Sequence, residues 1–108
     1  MKASEGDELT RMSAAELGRK IRAREVSPVE AVESYLRRIE SANPRLNAVV
    51  SLAPDAIERA REAEAAVVRG EARGALHGVP VTVKDTIDVK GLPATCGSRI
   101  RAGYVPEE

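Results

Sequence analysis

The stretch "LHGVPVTVKD", residues 76–85, decides how the rest of the chain is read. Gly78 opens it, and Val79, Val81 and Val83 then recur at every second position, the period of a β-strand. Side chains alternate along a strand, so Thr82 and Lys84 belong to one face and Val81, Val83 and Asp85 to the other. A strand over 79–84 turns a mainly helical chain into an α/β one. It also leaves a question, because an apolar run built for burial ends in a lysine and an aspartate.

Upstream, the grammar is helical. Ser13-Ala-Ala-Glu16 has the form of a capping box, and Met12 and Leu17 are spaced as a hydrophobic staple, which predicts a helix over 14–24. Ser27-Pro-Val-Glu30 repeats the signal with proline at the first helical position. Val29, Val32, Leu36 and Ile39 follow at three- and four-residue steps, so the second helix spans 28–42 and ends near Asn43-Pro44. "LNAVVSL", residues 46–52, alternates apolar and polar positions and reads as a strand. A third helix covers 54–69, with Ala56, Ile57, Ala60, Ala63 and Val67 inward and Gly70 as its terminator. Residues 86–108 are irregular, punctuated by Gly and Pro. The expected architecture is α/β: amino-terminal helices plus the edge of a mixed sheet that this chain does not complete.

Composition limits the chemistry. At 108 residues the chain holds at most one domain, and its core has no Phe, no Trp and only two Tyr. Seventeen basic and seventeen acidic residues cancel, so no global field draws in a nucleic acid or an anionic membrane, and neither is expected as a partner. No run approaches the length of a membrane span, and the charged start "MKASEGDELTRM" lacks the apolar heart of a signal peptide, so the expected location is the cytoplasm. Cys96 and His77 are single residues of their kind, which argues against an internal disulfide or a four-ligand zinc site. No cofactor and no metal are expected.

Lys84 then has two readings. It is either a solvated strand end or a base, and a lysine serves as a base only as the neutral amine, a form that burial in an apolar site favours. Composition does not choose between them. The run "GALHGVPVTVKDTIDVKGLPATCGSRI", residues 74–100, resembles the first signature segment of the amidase signature family. These are serine hydrolases that include bacterial amidases and the A subunit of the tRNA-dependent amidotransferase. Residues 9–78 resemble the family's amino-terminal helices, so the likeness covers nearly the whole chain. By this resemblance Lys84 is the base of a Ser–Ser–Lys triad that attacks a small-molecule amide through an acyl-enzyme.

The match has a boundary. In the family both serines lie in a Gly-Gly-Ser-Ser-Gly-Gly-Ser stretch, and this chain has no two adjacent glycines. Ser98 reads as a turn or capping residue and Cys96 as a small buried filler. His77 reads as a structural loop residue and Asp85 as a tie for loop amides or helix ends. Two function classes follow: the amino-terminal portion of an amidase-type hydrolase, either a general amidase or the A subunit of the amidotransferase, or a non-catalytic binding or assembly module. The isolated chain is expected to be inactive and to self-associate through uncovered apolar surface.

Overall fold

The computed structural model describes residues 8–85, 87–92 and 105. The chain divides into two units, Met1–Asn47 with Pro54–Pro80, and Ala48–Ala53 with Val81–Glu108.

Among the described residues, three helices of the first unit can be followed from end to end: α1, Ala14–Arg22; α2, Pro28–Leu46; and α3, Ala56–Val68. Two start on serine caps. The Glu16 amide donates to Ser13 Oγ at 3.1 Å and the Glu30 amide to Ser27 Oγ at 3.0 Å, each satisfying a donor that the first helical turn would otherwise leave open. α3 begins after Asp55 without a side-chain cap bond. Its C-terminus is closed instead by a Schellman motif: Gly70, at φ +74°, donates to the Val67 carbonyl and Glu71 donates to that of Ala66. α1 ends the same way around a non-glycine residue. Arg24 sits at φ +62° and donates to the Ile21 carbonyl, while Glu25 donates to that of Lys20.

The core of this unit is small. Leu9, Leu17, Ile21, Ala31 and Val67 form it, with Met12, Val26, Tyr35, Ala72 and Val79 packed around them. α2 and α3 pack against each other. The buried positions of α2 are Pro28, Ala31 and Ser34, while Val29, Val32, Leu36 and Ile39, whose spacing marks the helix, are half-buried. Small residues let a neighbouring helix approach closely, and Ser34 is accommodated because its hydroxyl donates to the Glu30 carbonyl at 2.8 Å and accepts from Arg37. α2 also runs past Pro44 to Leu46. Near the helix end the missing amide of Pro44 costs one helical bond, and Asn47, at φ +48°, supplies the left-handed stop.

The expected strands do not form. Leu46 is helical, and residues 47–53 and 79–84 carry no ladder; no strand is present among the described residues. A strand is held by hydrogen bonds to its neighbours, and two short segments are marginal in water without a larger sheet. Residues 48–53 and 81–85 nevertheless belong to the same second unit, where the Ile87 amide closes a turn on the Lys84 carbonyl at 2.9 Å. Val50, Leu52, Val81, Val83 and Ile87 are all exposed in it. No helix is long and apolar enough to cross a membrane, among the residues described.

Candidate active-site segment

The segment that carries Lys84 is best followed from its origin in the first unit. α3 leads through its Gly70 cap into residues 71–79, a loop stitched by backbone bonds from His77 to the Gly74 carbonyl at 3.3 Å and from Val79 to that of Leu76 at 3.0 Å. His77 uses both ring nitrogens. Its Nδ1 accepts from the Arg73 amide at 3.2 Å, and Nε2 lies 2.9 Å from the Ala63 carbonyl oxygen in α3. A nitrogen that accepts from an amide carries no proton, so the imidazole is the Nε2–H tautomer and donates to Ala63. The structural role expected for His77 thus has a specific form: it ties its own loop to α3.

Gly78 follows at φ +81°. A Cβ there would come within 2.8 Å of Pro28 Cγ and 3.2 Å of Ile21 Cγ2, two of the most deeply buried side chains. The loop is also held at Ala75, whose carbonyl accepts from Arg22 Nη1 at 2.7 Å. The same carbonyl lies where a side chain on Gly18 would stand, so α1 and the loop meet backbone to backbone. Sequence reading saw "HG" as a loop marker. The pinning of that loop on both α1 and α3 was not visible, because the contacts bridge 14 to 53 residues of chain.

Lys84 lies in the second unit with an exposed side chain. Thr82 is exposed as well, and Asp85 is half-buried and engaged by a polar partner. Cys96 and Ser98 lie outside the described residues. Among the described residues, no three His, Cys, Asp or Glu side chains are grouped to hold a metal ion.

Comparison with known proteins gives this geometry a context. A model of the amidase family matches residues 30–108. The A subunit of the glutamyl-tRNA(Gln) amidotransferase of Carboxydothermus hydrogenoformans is 39% identical over 100 residues, covering 92% of this chain and 21% of that protein. The protein of the same name from Anaeromyxobacter sp. (strain K) is 44% identical over 100 residues, with 92% and 20% covered. An amidase of Pseudomonas putida is 41% identical over 90 residues, 83% of this chain and 19% of that protein. The chain spans about a fifth of the length of these curated relatives.

Proposed function

We propose, because the chain belongs to the amidase family, that residues 1–108 form the amino-terminal portion of an amidase domain and supply the base of its reaction. The observation that carries this reading is the family match running through the HG-to-VKD segment, together with the short share of each relative that the chain covers.

The base is Lys84. As a neutral amine it takes a proton from a bridging serine, which in turn deprotonates the serine that attacks the amide carbonyl. The tetrahedral intermediate collapses by breaking the C–N bond, and the amine leaves with a proton returned along the same relay. Water then attacks the acyl ester and frees the acid. Both serines and the oxyanion donors come from sequence that this chain does not contain, so the chain alone lacks the groups that stabilise the intermediate. In the complete protein, residues 46–52 and 79–84 become strands once sheet neighbours complete their ladders, and the closed site excludes water from the lysine.

A second reading is favoured by the relatives that are amidotransferase components. In it the amide is glutamine, and partner proteins handle the tRNA. The same base and the same relay serve both readings.

The test is ammonia release from acetamide, benzamide and glutamine. The isolated chain is expected to give none above buffer. Joined to the remaining portion of the Pseudomonas putida amidase in place of the matching segment, it is expected to restore turnover. Turnover by the isolated chain that disappears in Ser98→Ala would overturn this assignment and make Ser98 a nucleophile.

A further inference from the structure

We infer that residues 48–53, residues 81–85 and Ile87 form a docking face for the remaining portion of an amidase domain, and that this face holds that portion as a separate chain, without a covalent join. The inference rests on the amidase reading above. Both segments belong to the second unit, and the family match runs through them. Val50 and Leu52 stand two residues apart, as do Val81 and Val83, the spacing that sets each pair on one face of a strand. All four are exposed, and so is Ile87. Their aliphatic, mostly β-branched side chains suit a half-buried sheet, yet neither segment carries a ladder among the described residues. Adding an extended segment to a sheet is a common way for separate chains to associate.

The occupant follows from the share of the domain that the match leaves over. The matched region is 21% and 20% of the two amidotransferase subunits, so most of such a protein lies outside it. A second copy of this chain adds only the same two short segments, whereas the remainder of the domain is the part of the family fold to which these segments belong. The covalent join is dispensable because the helical unit closes a core of its own under capped helices. A link of that kind raises the effective concentration of two parts to the millimolar range. Burying one Val or Leu side chain is worth about tenfold to a hundredfold in affinity, so several such side chains on one face offset the loss of the link.

The test co-expresses the 108-residue chain, carrying an affinity tag, with the remaining portion of the Pseudomonas putida amidase as a second chain, beside the joined protein. The second chain is expected to co-purify with the first, and the pair to release ammonia from one of acetamide, benzamide and glutamine within about tenfold of the joined protein. Val50→Ser, Val81→Ser and Val83→Ser are each expected to lower the recovered second chain, and turnover with it, by about tenfold or more. Their helix signal should be unchanged, because these side chains are exposed, and in the joined protein each should keep turnover within about threefold. Val68→Ser, at a position as exposed as Val50 but in α3, is expected to leave recovery unchanged. A joined protein that turns over amide, while the separate chains neither co-purify nor react, would overturn the docking face and leave the amidase reading standing. Equal losses from Val50→Ser and Val68→Ser would overturn its placement in the second unit. Co-purification with no turnover in either format would keep the face and refute the amidase reading.

Discussion

At residue 78 a methyl group meets two separate penalties. The backbone is left-handed at φ +81°, which costs an L-residue about 1 kcal/mol, and the Cβ would stand 2.8 Å from the ring of buried Pro28, an overpacking worth about 1–3 kcal/mol. Gly70 separates the two effects, because its φ is +74° and nothing lies within 4 Å of the added atom. Gly70→Ala should therefore cost about 1 kcal/mol and Gly78→Ala about 2–4 kcal/mol, read from urea titrations of the far-UV helix signal. Equal costs would show that the Pro28 contact is not tight. Gly18 offers a sharper contrast of sign. In an exposed helix Ala is favoured over Gly by about 1 kcal/mol, yet here the carbonyl of Ala75 occupies the Cβ position, so Gly18→Ala should destabilise. Neither requirement could be read from the local sequence, since Gly18 looks like a weak helix residue and Gly78 like an ordinary loop breaker.

Among the elements, the helix starts were the most legible features, for the physical reason that a cap is a local bond. Ser13 and Ser27 each accept from the amide three residues on, and Ser27→Ala should cost about 1 kcal/mol in the same titration. The helix ends were less legible. α1 stops on Arg24, which takes the left-handed conformation usually left to glycine and sends its guanidinium to the Val68 carbonyl at 2.9 Å and the Val67 carbonyl at 3.4 Å. A cation is thus set on the carbonyl end of α3, where the helix dipole favours it. Strain and cap oppose each other at one residue. Arg24→Ala keeps the strain and loses the cap, so it should be less stable than Arg24→Gly, which loses the cap but relieves the backbone. The reverse order in thermal unfolding would show that the backbone strain at this position is negligible. The buried face of α2 was not legible: Val29, Val32, Leu36 and Ile39 mark the helix by their spacing, whereas the packing uses Pro28, Ala31 and Ser34. Periodicity finds a stripe; it does not say which flank the next helix covers. The strands expected at 46–52 and 79–84 carry no ladder in this chain because alternation describes a side-chain pattern, while a strand exists through partners that the local sequence does not supply.

For the molecule as a whole, the two units differ in how far they satisfy themselves. The first has capped helices and a closed, if small, core. In the second, Val81 is 77% exposed, Val50 61% and Ile87 57%, more apolar surface than a short segment keeps in water without consequence. The isolated chain should therefore associate with itself as concentration rises, and sedimentation velocity should register species larger than the monomer. A monomer unchanged across roughly a hundredfold range of concentration would speak for a self-sufficient module. Lys84, the residue on which the amidase reading turns, is exposed in this same unit. On the proposed reading its chemistry belongs to the complete enzyme, so the most direct measurement is made there. Amide turnover is compared between the joined protein and its Lys84→Ala and Lys84→Arg variants, with circular dichroism confirming that all three are folded. Loss of a general base within a triad removes about 10²–10⁴-fold of the rate, and arginine should fare no better than alanine because a guanidinium does not give up its proton near neutral pH. Either variant retaining more than about half of the normal turnover would contradict the assignment of Lys84 as the base.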